Sequence, residues 1–208
     1  MPAADDCNAR PTLTAIILAG GRASRLGGLD KGLLPLAGRP LIGWVMERLR
    51  PQVDSIVISA NRNLDRYAAL GAPVVPDHHP YQPGPLAGIL AGARLTTAEW
   101  LLVAPCDTPL LPANLASGLL ARAESQSVSL VRAADRHQIH YAVMLFKRQL
   151  LPDLEDHLAR GNRQVQAWQA RHPHAEAVFT EPNAFLNLNT AEDFVLAETA
   201  VAKFDKTA

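Results

Sequence analysis

Apolar residues in this chain cluster in short, uninterrupted blocks separated by polar, glycine-containing joints, and they rarely alternate. Thr12 to Leu18 (TLTAIIL), Ser55 to Ala60 (SIVISA), Ala72 to Pro76 and Trp100 to Ala104 (WLLVA) are β-branched or apolar throughout. Blocks of that length, closed by Gly or Pro, predict strands buried on both faces. Between them the period lengthens toward that of a helix. Leu41, Trp44, Val45 and Leu49 predict a helix opened by Gly38-Arg39-Pro40 and closed by Pro51; Leu64 to Leu70 predicts one ending at Gly71; LAGILAGARL after Gly84-Pro85 predicts a third. Further on come a helix from about Pro112 to Ala123, strands near Val128 to Arg132 and Tyr141 to Phe146, helices around Leu150 to Leu158 and Gln164 to Ala170, and a last helix from about Thr190.

Strands alternating with helices of this length predict an α/β fold: a three-layer, Rossmann-like, mostly parallel sheet with helices on both faces. Residues 13–201 are expected to form one domain, flanked by a flexible stretch 1–12 and a tail 202–208. Ligands in such sheets bind beyond the carboxyl ends of the strands. That rule turns the strand ends into a candidate site, because the loops there carry Gly20-Gly21 to Lys31, Asn61-Arg62, and Cys106-Asp107-Thr108. These loops are expected to converge.

Composition narrows the partners. The 208 residues carry 20 Lys+Arg against 20 Asp+Glu, a formal net charge of +0, and only 5% aromatics. Neither a basic face for nucleic acid nor a stacking platform for single strands is indicated. Cys7 and Cys106 form no disulfide framework and no zinc spacing. With no signal-peptide pattern and no apolar run of ~18 residues, the expectation is a soluble cytoplasmic protein.

The richest segment, Leu18 to Lys31 (LAGGRASRLGGLDK), packs four glycines with Arg22, Arg25 and Lys31. Glycines let backbone N–H groups approach phosphate oxygens, and the cations supply countercharge, so the composition suits a polyphosphate. It is not a Walker A loop, since Asp30 precedes the lysine and Gly32 follows it, and no Gly-x-Gly dinucleotide fingerprint occurs. Asp107, in Pro105-Cys106-Asp107-Thr108-Pro109, is a hard oxygen ligand suited to Mg²⁺, or else a turn former before Pro109. Cys106 is read as a small buried hydrophobe, not a nucleophile. Gly84, Gly88 and Gly92 are read as sites of close helix packing or ligand approach. His78-His79 and His172-Pro173-His174 are set outside the site because no acidic or cysteine partners complete them.

The loop with its attached DKGLLPLAGRPL, SANR at 59–62, Asp77, PGPLAG at 83–88, PCDTP at 105–109 and NLNTAED at 187–193 together resemble the molybdenum cofactor guanylyltransferases, over about Ala15 to Phe194. The resemblance implies a fold of the nucleotide-diphospho-sugar transferase kind. It implies transfer of GMP from GTP to the terminal phosphate of molybdenum-molybdopterin, giving the guanine dinucleotide cofactor and pyrophosphate. It further implies that Leu18, Ala19 and Gly20 line the nucleotide pocket, that Lys31 neutralises phosphate, and that Asp107 carries Mg²⁺. Arg25 is an additional phosphate and catalytic candidate. Asp77 matches the family's nucleotide-contacting Asp and is the natural acceptor for the guanine N–H donors, or else a turn residue between Pro76 and Pro80.

Ser59 stands where the family often has Asn, so that GTP contact falls to its hydroxyl or to Asn61. HQIHY at 137–141 departs from the family's His-Pro pattern on the pterin side. Asn187 and Asn189 are placed by resemblance near the metal or the acceptor phosphate, while Asn189 or Thr190 equally suits a helix N-cap with Glu192-Asp193 in the first turn. The expected partners are GTP, the pterin and the proteins that hand it over, with the chain a monomer. The competing readings are a cytidylyl- or sugar-nucleotide transferase on the same framework and a non-catalytic GTP-binding module.

Overall fold

The computed structural model describes residues 10–19, 30–77 and 84–204. In chain order the elements are β1 (Leu13–Leu18), β2 (Pro35–Leu36), β3 (Arg39–Pro40), α1 (Leu41–Leu49), β4 (Ser55–Ser59), α2 (Leu64–Ala68), β5 (Val74–Val75), α3 (Pro85–Arg94), β6 (Trp100–Pro105), α4 (Leu115–Gln126), β7 (Leu130–Ala134), β8 (Ile139–Lys147), α5 (Leu151–Ala159), α6 (Val165–Gln169), β9 (Ala175–Val178) and α7 (Ala191–Phe204). Seven strands form one sheet in the order β5-β4-β1-β6-β8-β7-β9. Neighbours pair in parallel except on the two sides of β8, which runs antiparallel to both β6 and β7. The mostly parallel sheet expected from the pattern is therefore present.

Its central strands β1 and β6 are almost wholly apolar because they are covered twice. Ala15 and Ile17 of β1 and Trp100, Leu102 and Ala104 of β6 face Ile42, Val45, Met46 and Leu49 of α1, Tyr67 of α2, and Leu115 and Leu119 of α4. Ile16, Leu101 and Val103 point the other way, onto Leu86, Ile89 and Leu90 of α3, Leu154 and Leu158 of α5 and Trp168 of α6. Successive residues of a strand bury on opposite faces, so a strand with a helix layer on each side has no polar face to show. Gly92 lets α3 settle directly on β1, where a Cβ would stand 2.7 Å from Ile16.

Three elements depart from expectation. Residues 38–40 do not open α1; β2 and β3 form a two-stranded hairpin across Ala37-Gly38, both at positive φ (48° and 78°), and the helix starts at Leu41. β9, the strand Ala175–Val178, is absent from the sequence reading and is made by parallel pairing with β7. α7 continues to Phe204, past the expected boundary at 201. At the other end Thr12 is tied down, its carbonyl accepting from Trp100 N–H at 3.0 Å and its hydroxyl from Glu99 N–H at 3.0 Å. A small third core of Leu36, Leu41, Trp44, Leu110, Leu188, Ala197 and Val201 glues α7 to the hairpin and α1. No helix among the described residues is long and apolar enough to cross a membrane.

Candidate active site

The register places three strand ends in a row, with Leu18 opposite Ser59 of β4 on one side and Pro105 of β6 on the other. Ala19 N–H donates to the Ser59 carbonyl at 2.8 Å and Cys106 N–H to the Leu18 carbonyl at 3.0 Å, so pairing runs one residue past the strands. After β1 the chain adds β4 and β5 on one side and then β6 on the other. The carboxyl ends of β1 and β6 thus flank a topological switch point, where open α/β sheets bind ligands. The chain leaves this edge at Ala19 into the glycine-rich loop. Gly20, Arg22 and Arg25 lie outside the described residues, and the chain is described again from Asp30.

Lys31, Asp107 and Asn189 meet there. The Lys31 ammonium donates to Asp107 Oδ2 at 2.5 Å and to Asn189 Oδ1 at 2.7 Å, bridging segments 76 and 158 residues away. Lys31 and Asp107 side chains are only 16% and 18% exposed, which shields the pair from water more than a surface ion pair is shielded. Leu188 N–H donates to the Asp107 carbonyl at 3.2 Å, and buried Leu188 turns Asn187 and Asn189 outward on either side. The start of α7 closes a capping box: Thr190 Oγ1 accepts from Asp193 N–H at 3.2 Å, while Asp193 Oδ2 accepts from Thr190 N–H at 2.8 Å and Asn189 N–H at 2.9 Å. Those N–H groups hold the Asp193 carboxyl below its ordinary value. The cap and the site reading of Asn189 therefore coexist, with the backbone capping and the amide reaching Lys31.

Asp30 is held from the opposite direction. Its carboxylate accepts from the Tyr67 hydroxyl and from Asn63 Nδ2 at 2.8 Å. A Cβ on Gly32 would fall 2.6 Å from Tyr67 Oη and 3.1 Å from Cys106 Sγ, so only glycine lets the turn lie this close. Cys106 is buried, and burial followed by the Asp107 charge pushes its thiol up, away from the nucleophilic form.

One loop along, Asn61 and Asp77 clasp each other: Asn61 Nδ2 donates to Asp77 Oδ1 at 2.6 Å, and Asp77 N–H donates to Asn61 Oδ1 at 2.9 Å. Ser59 is 3% exposed, and its hydroxyl lies under α3, where a Cβ on Gly88 would stand 2.6 Å from it. Of the two alternatives at this point, Asn61 is the exposed one. Sequence reasoning pointed to Lys31, Asp107, Asn61, Asp77 and Asn189, and to Asp193 in the first turn of the last helix, but missed Tyr67 and Asn63. The available signal for Tyr67 was a phenol on the core-facing side of a short helix, whose oxygen must find a partner. His172, set outside the site, packs against Trp168 with ring centroids 5.4 Å apart and lies 3.0 Å from Asp153. His78 and His79 lie outside the described residues.

The oxygen donors suit a hard cation. An Asp107 carboxylate oxygen and the Asn189 amide oxygen, both accepting here from the Lys31 ammonium, are the kind of ligand atom a divalent cation takes from a protein. No group of three or more His, Cys, Asp or Glu is clustered among the described residues.

A doubly covered, mostly parallel sheet with Lys31 and Asp107 facing each other at its switch point is a frame suited to binding a phosphorylated ligand, and the comparisons with known proteins make the class a nucleotidyltransferase. Residues 15–176 match the family model described as MobA-like NTP transferase domain. Over 195 residues, 89% of this chain and 95% of the relative, the sequence is 44% identical to the molybdenum cofactor guanylyltransferase of Burkholderia lata. The chain belongs to the molybdenum cofactor guanylyltransferase family. Among solved structures it is similar to molybdopterin-guanine dinucleotide biosynthesis protein A of Archaeoglobus fulgidus (TM-score 0.74, 23% identity, 91% of this chain and 99% of that one). It is also similar to the manganese complex of Rv0371C from Mycobacterium tuberculosis (TM-score 0.67, 18% identity, 91% and 99%).

Proposed function

We propose that this enzyme transfers GMP from GTP to the terminal phosphate of molybdenum-molybdopterin, releasing pyrophosphate. The observation that carries the reading is the convergence of Lys31, Asp107 and Asn189 at the switch point, beside Ala19, where the glycine-rich loop departs. Such a reaction needs no covalent protein intermediate. The acceptor phosphate attacks the α-phosphorus in line, and the protein positions both partners and offsets charge.

In this reading Leu18, Ala19 and Gly20 line the nucleotide pocket, while Lys31, with Arg25, holds the phosphate charge that grows on the departing pyrophosphate. Asp107, with Asn189 or Asn187 beside it, holds a divalent ion, Mg²⁺, which when bound neutralises and orients phosphate oxygens. The Asn61–Asp77 clasp reads the base. Guanine offers N1–H and N2–H₂ donors, the Asp77 carboxylate accepts them, and Asn61 keeps that carboxylate in place. The neutral Cys106 thiol takes no chemical part.

Asn187 and Asn189, in the segment before α7 that is held beside the end of β6, belong in this reading to the acceptor-phosphate side. The protein works in the cytoplasm as a monomer, a reading supported by a free buried Cys106 and by exposed large apolar residues scattered over α2, the end of α3, β9 and α7. The test is pyrophosphate release from GTP with the pterin acceptor, with and without EDTA, alongside binding titrations of GTP, CTP and UTP. Metal-dependent release and preference for GTP are expected. A clear preference for a pyrimidine nucleotide would end the guanine reading.

A further inference from the structure

The Lys31 side chain has four rotatable bonds, and an ammonium on such a stem is no more precise than the backbone that carries it. Its own turn is short, a single 3₁₀ turn over Lys31–Leu33 closed by Leu33 N–H on the Asp30 carbonyl at 3.0 Å. What fixes that turn to the rest of the molecule lies on either side of the lysine. Upstream, both oxygens of the Asp30 carboxylate are engaged, Oδ1 by the Tyr67 hydroxyl and Oδ2 by Asn63 Nδ2. Downstream, Gly32 is buried, and a Cβ on it would stand 2.6 Å from the Tyr67 oxygen and 3.1 Å from the Cys106 sulfur. One phenol oxygen therefore hydrogen-bonds the residue before Lys31 and leaves no room for a side chain on the residue after it.

The ring and the hydroxyl of Tyr67 do different jobs. The ring is fully buried in the main core between α1, α2 and the sheet, a place a phenylalanine would fill equally well. The hydroxyl adds nothing to that packing and would be costly to bury without an acceptor. Burial, then the hydrogen bond to Asp30, push the phenol's pKa well above its ordinary value, so the oxygen remains a donor throughout the physiological range. Asn63 supports the same carboxylate from a left-handed backbone conformation (φ 51°) at the start of α2, directing its amide toward the site.

We infer that Tyr67 is a positioning residue of the transfer reaction, its hydroxyl setting, through Asp30 and against Gly32, where the Lys31 ammonium stands relative to Asp107 and Asn189. The inference rests on the proposed function, in which Lys31 holds the leaving phosphates. An ammonium held near but not at that place loses much of its effect, because transfer between bound partners is steep in distance.

A double-mutant cycle on the full-length protein tests this, with pyrophosphate release and melting temperature measured for the wild type, Tyr67→Phe, Lys31→Met and the pair. Tyr67→Phe is expected to lower kcat about tenfold in the wild-type background, the cost of a displaced charge-bearing group. In the Lys31→Met background the same change costs less than about twofold, since the group it positioned is gone. Equal losses in both backgrounds, or a lowered melting temperature with unchanged kcat, overturn the inference, since a merely structural hydroxyl acts on stability regardless of Lys31. A second measurement uses the close approach itself. Gly32→Ala is expected to slow turnover and Tyr67→Phe added to it to restore part of the loss, by removing the oxygen 2.6 Å from the new methyl group; no recovery counts against the contact. A wild type that releases no pyrophosphate overturns the function and this inference together. An active wild type with additive losses overturns the inference alone.

Discussion

The two edges of the central sheet use the same residue types to opposite ends. At the amino edge, Arg10 pairs with Asp54 in front of β4, and Lys147 lies 3.5 Å from Glu99 and over the Trp100 ring at 5.2 Å, with both members of each pair substantially exposed. At the carboxyl edge, Lys31 and Asp107 are largely shielded, and the lysine has a second partner in Asn189. Exposed pairs are screened by water and contribute little, whereas a charge shielded among fixed dipoles exerts a strong field on whatever enters. The amino edge also has a cleft, lined by Glu99, Lys147, Arg148, Gln149, Leu151 and Pro152. In a parallel sheet that is the wrong edge for the ligand, because the connections that carry binding groups follow the carboxyl ends. A concave surface with charges is thus less informative than the segments that converge on it.

The comparison breaks most readily at Asp107. Asp107→Ala is expected to cut pyrophosphate release about a thousandfold at a nearly unchanged melting temperature, the scale seen when a preorganised charge is removed from a site. Wild-type turnover in that variant would remove the distinction between the edges. Lys31→Met comes next, with a loss on the order of a hundredfold concentrated in kcat. Asp77→Asn should act on choice of base, raising KM for GTP about tenfold and narrowing the preference over ATP, measured as the ratio of kcat/KM.

A smaller effect concerns stability away from both edges. His157 on α5 is 4% exposed and neither ring nitrogen has a hydrogen-bond partner among the described residues; burial first, and then Arg171, hold it below its ordinary 6.5. A depressed folded-state value means the neutral form is favoured in the native protein. The stability that follows is present above pH 6.5 and lost as the pH falls through that value toward the depressed one. The wild-type melting temperature should therefore drop by a few degrees more than that of His157→Phe between neutral pH and pH about 5.5. Equal drops would exclude His157 as the source. The smallest effect belongs to the amino edge: Lys147→Met should leave turnover within about twofold of wild type, and a larger loss would mean that this edge takes part in function.

The parallel half of the fold was legible because a strand covered on both faces needs a continuous apolar run, and β1, β4 and β6 have one. The candidate site was legible wherever a polar residue closed such a run, as Asp107 follows β6 and Asn61 follows β4. β9 was not legible. Its AEAV is a helix-tolerant string that becomes a strand only because β7 offers a free edge in parallel register. The β2–β3 hairpin was hidden for a related reason, since its turn places Ala37 at a positive φ that its residue type does not advertise. Tyr67 is 37 residues from Asp30, and no local spacing links them.

By itself the sequence determined the alternation of strand and helix, the doubly buried sheet, the glycine-rich loop with its cations, and which side chains end each strand. These follow from periodicity and residue chemistry, which act over a few residues. Tertiary structure alone decided that Lys31 stands between Asp107 and Asn189, that Ser59 is sealed beneath Gly88 while Asn61 faces outward beside Asp77, and that a phenol on α2 holds the turn bearing the lysine. Those distances depend on how helices seat on the sheet and how the third small core presses α7 against the hairpin, and packing of that kind is written in no single segment.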